Sequence, residues 1–213
     1  FSSSVYLASE AIQRFGTEAQ KSAWLPRLAG GECVATVAMA ERAGRLALDR
    51  LETRRSGSQI SGTKVPVADA SIAEVVVVLA RSEAGLEACL VPLQQAGVSV
   101  EPVLTFDSSR GHSTVTFDSA EAEVLGDTAI NPEDWESLLD GAAVLLAWEQ
   151  LGLAETALIQ ARDYALQRFA FGRAIGSYQA IKHKLANMYV KNTLARSNAY
   201  YGVWALAEGS DEL

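Results

Sequence analysis

Apolar residues between Val5 and Arg14 recur at helical spacing and stop at Phe15-Gly16, where glycine can cap a helix C-terminus. Thr17 with Gln20 three residues on makes a capping box, and Trp24, Leu25 and Leu28 give a second helix its apolar face before Gly30-Gly31 ends it. From Cys33 to about Gly126 the pattern changes to short β-branched runs between glycine, proline and polar turns, which predicts antiparallel sheet. The strands expected are Cys33 to Met39, Ser58 to Ser61, Glu74 to Arg81, Ala88 to Leu93, Val98 to Thr105 and Ser113 to Asp118. Asn131-Pro132-Glu133-Asp134 then supplies an N-cap, a proline at the first helical position and acids where the macrodipole favours them. A helix of about 35 residues is expected from there to Phe169, a break at Gly172 to Gly176, and a second long helix from Ser177 to about Ala207.

Helices, then strands, then long helices, in runs rather than in alternation, define an α+β chain and exclude a doubly wound nucleotide fold. The expected divisions are 1–32, the end of a helical domain; 33–130, a β-barrel or sandwich; and 131–213, a helical bundle short of its full set of helices. No G-x-G-x-x-G follows a strand and no Walker loop occurs.

At 213 residues and 49% hydrophobic the chain can bury a full core. Its longest apolar runs, Val75 to Ala80 and Ala142 to Trp148, fall short of the roughly 18 residues of a membrane span, so no membrane partner is expected. Phe1-Ser-Ser-Ser-Val5 lacks a start methionine, a basic region and a cleavable apolar stretch, which reads as a fragment without a signal peptide. Cys33 and Cys89 stand in apolar surroundings and suit reduced core thiols of a cytoplasmic protein. The net charge of −8 is read as spread along the chain, which makes nucleic acid an unexpected partner. A polyanionic ligand would need clustered arginines against this field.

The two histidines, His112 and His183, lie apart with no ligand spacing, so no metal is expected. No serine sits in a G-x-S-x-G elbow. Glu41, Asp140 and Glu149 are isolated carboxylates whose plain interpretation is surface charge.

Two stretches carry a resemblance. Arg14 to Glu32, R-F-G-T-E-A-Q-K-S-A-W-L-P-R-L-A-G-G-E, resembles the segment by which acyl-CoA dehydrogenases leave their N-terminal helical domain. Tyr164 to Gln179, Y-A-L-Q-R-F-A-F-G-R-A-I-G-S-Y-Q, followed by L-A-N-M at 185–188, resembles that family's Y-A-x-x-R-x-x-F-G…Q…L-A-x-M signature. Gly62-Thr-Lys64 and Val124-Leu-Gly126 fit the same template in order. The resemblance implies an oxidoreductase that removes an α proton and a β hydride from an acyl-CoA thioester with FAD, handing electrons to an electron-transfer flavoprotein. It also implies that Arg168, Phe171 and Gln179 hold the adenosine and pyrophosphate part of an FAD seated mainly in a neighbouring subunit. The physical logic is that a guanidinium pairs with phosphate, an aromatic contacts adenine and an amide adds hydrogen bonds.

Departures from the template cluster in one place. Where the family has T-E-P-x-A-G-S-D, this chain reads Ala40-Glu-Arg-Ala-Gly44-Arg-Leu46-Ala47, and where it has W-I-T-N the chain reads Val65-Pro66-Val67-Ala68-Asp69. Hydroxyls that would meet the flavin ring are replaced at Ala40, Leu46 and Ala68, and the aromatic wall at Pro66. The base position on the first long helix falls near Ala142, and Asp140 lies about 200° around the helix from it, so no catalytic base is assigned. A half-site that clasps a neighbour's FAD thus stands beside a rewritten pocket for the chain's own flavin. The expectation is the flavin-poor subunit of a heterotetramer, similar to the steroid-CoA-type heteromeric acyl-CoA dehydrogenases of lipid degradation. The alternatives are an ordinary homotetrameric dehydrogenase and a non-enzymatic scaffold on the same fold.

Overall fold

A computed structural model describes residues 1–210 apart from 43, 45 and 108. Two compact units divide the chain, Phe1–Leu139 and Asp140–Leu213.

The first unit opens with a π-helical stretch, Ser2–Ser9, that continues into α1, Glu10–Phe15. The single helix expected over Val5 to Arg14 is therefore two kinds of turn. Gly16 closes α1 because a Cβ there would lie 2.5 Å from the Ile12 carbonyl oxygen. Helix α2, Glu18–Ala29, begins on the predicted capping box: the Gln20 N–H donates to Thr17 Oγ1 (3.3 Å) and the Thr17 N–H to Gln20 Oε1 (3.0 Å). The Gln20 amide also donates to the Val124 carbonyl (2.8 Å), so one cap fastens the helix to the β-domain.

Eight strands follow: β1 Ala35–Ala38, β2 Arg54–Ser56, β3 Gln59–Ala68, β4 Val75–Ser82, β5 Gly85–Pro92, β6 Val98–Val103, β7 His112–Glu121 and β8 Glu123–Val124. They form one sheet in the order β6-β7-β3-β2-β4-β5-β8, with β1 added on β4. The sheet is mixed: its hairpins are antiparallel, but β1 runs parallel to β4 from Ala35↔Val75 to Ala38↔Val78. Strand β3 runs seven residues past the Ser61 at which its pattern was expected to stop. Gly62 and Pro66 look like breakers, yet Gly62 pairs with Phe117 beside one register shift of the β3/β7 ladder and Pro66 falls inside another, where a bulge accommodates it.

β4 shows how the alternation of a strand divides a core. Val75, Val77 and Leu79 pack with Ile12, Leu28, Trp135 and Leu138, while Val76, Val78 and Ala80 pack with Ile60, Val67, Val115 and Phe117. Both faces are covered, so the strand reads as a continuous apolar run. Trp135 is fully buried and stacks on Phe15 at 5.9 Å, which ties the first turns of α3, Pro132–Gln167, to the N-terminal helices.

In the second unit, α3 and α4, Gln179–Glu208, are joined by a β-hairpin, β9 Phe169–Ala170 and β10 Arg173–Ala174, in place of the plain loop expected at Gly172 to Gly176. The Trp148 indole N–H donates to the Ala199 carbonyl (3.2 Å), bridging the two helices. By length and composition α3 could cross a membrane, with an 18-residue window of mean hydropathy 1.3. A search for unbroken apolar runs misses this because small and polar residues punctuate the window.

Candidate functional site

The structure brings the two rewritten segments together. The Val65 N–H donates to the Ala40 carbonyl (2.8 Å), joining the second half of β3 to the loop after β1. Behind this bond lies Lys64, whose side chain is fully buried, with its ammonium 3.0 Å from the Met39 carbonyl and 2.9 Å from Glu41 Oε1. Glu41 also accepts the N–H groups of Glu52 (2.6 Å) and Thr53 (2.8 Å). The expected surface charge is thus an internal staple that closes the 41–53 loop. Gly62 permits it: at φ 147° and with its Cβ position 2.5 Å from Thr53 Oγ1, no other residue fits that approach.

These contacts set the electrostatics. Burial pushes the Glu41 carboxyl up, but the two backbone N–H groups and the Lys64 ammonium outweigh it and bring its pKa down to about 2. Burial pulls Lys64 below the usual lysine range, opposed by Glu41. Both groups are spoken for, and neither is free to move a proton to a ligand.

Little space remains at the staple. The cavity lined by Ala40, Glu41, Arg42, Leu46, Arg50 and Leu51 measures about 30 Å³, room for no more than a few waters. Ala40 and Leu46 offer no side-chain hydrogen bond, Pro66 is exposed, and the Ala68 carbonyl is taken by the Thr36 hydroxyl at 2.6 Å. Asp69, at φ 56°, accepts from Ser3 Oγ at 2.6 Å. At Ala40, Leu46, Pro66 and Ala68 the chain offers a flavin ring neither a side-chain hydroxyl nor an aromatic wall. Beyond the same loop a larger groove of about 770 Å³ is lined by Leu46, Arg50, Arg81, Leu86, Ile130 and Glu136 among others. It combines apolar walls with two guanidiniums and is of ligand size.

Arg168, Phe171 and Gln179 belong to the α3–α4 connection. Arg168 directly follows α3, its N–H donating to the Tyr164 carbonyl (2.8 Å), and Gln179 is the first residue of α4. Phe171 and Gly172 form the two-residue turn of the β9–β10 hairpin, both at positive φ (52° and 78°). That geometry matches strand twist but favours Asn or Gly at the first position, so a phenylalanine there is under backbone strain. Phe171 is also 97% exposed. The Tyr178 hydroxyl donates to the Ala170 carbonyl (2.9 Å), and Gly176 passes so close to α3 that a Cβ would meet the Ala165 carbonyl oxygen at 2.9 Å. These contacts hold the connection together, and Arg168, Phe171 and Gln179 are all exposed on it. An exposed guanidinium, aromatic ring and amide on one such frame fit the adenosine and phosphate end of a dinucleotide.

Asp140 is exposed at the start of the second unit, Ala142 is half-buried, and His183 is exposed on α4. Among the described residues no three His, Cys, Asp or Glu side chains gather as a metal-binding group. The charge distribution corrects the expectation of an even spread. Residues 162–196 hold seven Lys and Arg against the single acid Asp163, although the chain as a whole is at −8. Acids before and after the stretch offset it in the total.

Comparison with known proteins completes the picture. The family model described as acyl-CoA dehydrogenase, C-terminal domain, matches residues 135–212, and that for the N-terminal domain matches residues 1–32. A probable acyl-CoA dehydrogenase of Bacillus subtilis, YngJ, is 28% identical over 219 residues, covering 96% of this chain and 58% of its own length. The fold of a glutaryl-CoA dehydrogenase from Mycobacterium smegmatis in complex with FADH2 superposes with a TM-score of 0.88 at 28% identity, covering 98% of this chain and 56% of that one. A steroid ACAD named as a pair, Tcur3481-Tcur3483, gives 0.83 at 30% identity, with 98% and 56% covered. Helices, mixed sheet and long helices in this order are the fold of FAD-dependent acyl-CoA oxidoreductases. The chain belongs to the acyl-CoA dehydrogenase family. It spans about half the length of the curated relatives it matches.

Proposed function

We propose that this chain serves an FAD-dependent acyl-CoA dehydrogenase as the subunit that completes a flavin site in a homologous partner. The observation that carries the proposal is Phe171, a bulky side chain held at positive φ and 97% exposed. Strain and exposed apolar surface are both costs, and no contact among the described residues offsets them. A bound ligand or neighbouring subunit repays them. Arg168 would hold phosphate, Phe171 would lie against the adenosine part and Gln179 would add hydrogen bonds. When bound, FAD supplies the hydride-accepting chemistry, and this chain's residues bind and orient its distal end. The loop at Glu41 and Lys64 keeps its own cavity to about 30 Å³, which favours a partner as the seat of the ring. The acyl-CoA thioester would lie along the groove bearing Arg50 and Arg81, and a steroid-type acyl group is the substrate class favoured by the likeness to a steroid ACAD. An electron-transfer flavoprotein would reoxidise the assembly, which we place in the cytoplasm.

The test is co-purification of the full-length protein with and without a homologous subunit that carries the T-E-P and W-I-T-N segments. Flavin retained only in the mixed oligomer is the expected result. One flavin per chain in this protein alone would overturn the proposal in favour of a homotetramer, and flavin in neither preparation would favour a scaffold.

A further inference from the structure

The β9–β10 register places a second cation beside Arg168. Arg173 pairs with Ala170 and Ala174 with Phe169, and the Ile175 N–H donates to the Arg168 carbonyl at 2.8 Å. Side chains alternate along a strand, so Arg168, Ala170 and Arg173 share one face of the hairpin while Phe169 and Ala174 share the other. Arg168 and Arg173 are then diagonal neighbours across the two strands, a spacing of about 7–8 Å between backbones that two long side chains close easily. Two guanidiniums on one small face repel unless an anion lies between them.

No ion pair among the described residues neutralises them. Those of the second unit are Arg162–Asp163 and Arg196–Glu155, and Arg168 and Arg173 take part in neither. Both are exposed, and both lie within the basic stretch 162–196. Arg173 is nonetheless held in place. Its guanidinium carbon sits 4.0 Å from the centre of the Tyr178 ring, and Tyr178 is itself anchored by its hydroxyl on the Ala170 carbonyl. A cation stacked on an aromatic ring keeps its in-plane N–H groups free to donate. An arginine fixed in this way loses less freedom on binding an anion than one extended into solvent.

We infer that Arg173, positioned by Tyr178, is the second arm of a two-guanidinium clamp with Arg168 for the pyrophosphate of a dinucleotide seated in a homologous subunit. The inference rests on the function proposed above and adds to it a residue and its support. Two phosphates in a row carry two charges, and one guanidinium on each satisfies them better than Arg168 alone. Sequence pattern alone does not reveal Arg173, because a plain loop over 172–176 would give it no face to share with Arg168.

The test uses the native oligomer of the full-length protein and measures FAD dissociation by recovery of flavin fluorescence, over a series of salt concentrations. Arg173→Gln, Arg173→Lys and Tyr178→Leu are compared with Arg168→Gln, with the oligomer size checked for each. The clamp requires Arg173→Gln to weaken FAD retention about 10- to 100-fold, as expected for one charge-assisted contact, and to flatten the salt dependence. Arg173→Lys should recover part of the affinity and the salt slope. Tyr178→Leu should lose affinity while keeping the slope, because the charge remains but is no longer held. If Arg168→Gln weakens FAD and Arg173→Gln does not, the clamp is wrong and the proposed function stands. If neither substitution changes retention in an oligomer that binds FAD, the hairpin does not touch the cofactor and both fall.

Discussion

The loop around Glu41 and the hairpin around Phe171 dispose of their polar and strained groups in opposite ways. At Glu41 every charge meets an internal partner: the carboxylate takes two backbone N–H groups and the Lys64 ammonium, and the space left is about 30 Å³. At the hairpin the guanidiniums of Arg168 and Arg173 and the ring of Phe171 face outward on a frame that is itself well bonded. Buried charges paired within the chain contribute to stability, whereas exposed groups on a well-bonded frame remain available to a partner. The position where the family template calls for a flavin ring is of the first kind in this protein, and the edge where it calls for contact with a neighbour's FAD is of the second.

The contrast is broken most severely at Lys64. Lys64→Met leaves Glu41 in place without its cation, and loss of one member of a buried pair costs about 3–5 kcal/mol. Urea denaturation of the variant should register a loss of that order, and an unchanged midpoint would mean that the staple is not structural. A related pH effect follows from Glu41. Its folded pKa of about 2 lies below its ordinary value of 4.5, so the stability it supplies is fully present above 4.5 and declines as pH falls from there towards 2. Glu41→Gln should flatten this acid limb in thermal melts recorded across the range.

Phe171 provides the converse experiment. Glycine accepts positive φ without strain, so Phe171→Gly should raise the stability of the isolated protein by about 1 kcal/mol while weakening flavin retention in the oligomer. A variant that loses stability instead would show that the ring packs within the chain. The smallest response is expected at Cys89, whose thiol burial pushes up to about 12. It should resist alkylation at neutral pH until the β-domain unfolds, and rapid labelling of the native protein would contradict the closed packing of β4 and β5.

Much of this was legible in the chain. The Thr17–Gln20 box, the Asn131-Pro132 start and the β-branched runs are local signals, and local physics enforces them. The register shifts beside Gly62 and at Pro66 were not legible, because a breaker inside a strand is recognised only from the partner strand that absorbs it. The parallel β1–β4 pairing and the β9–β10 hairpin depend likewise on long-range or turn geometry that no periodicity records. At the site, the hydroxyl losses at Ala40, Leu46 and Ala68 could be seen against a family template. The Glu41–Lys64 staple joins residues 23 apart and needed coordinates. Arg173 was hidden for a similar reason, since only strand register puts it on one face with Arg168.

The central claim is that this protein contributes to a flavin site without seating a flavin ring of its own. Flavin per polypeptide in the full-length native oligomer, from absorbance of the released cofactor against total protein with the chains identified, tests it most directly. The account predicts one flavin for every two chains, with a homologous subunit present. One flavin per chain in a homomer would contradict it and would require Ala40, Leu46, Pro66 and Ala68 to line a working flavin pocket.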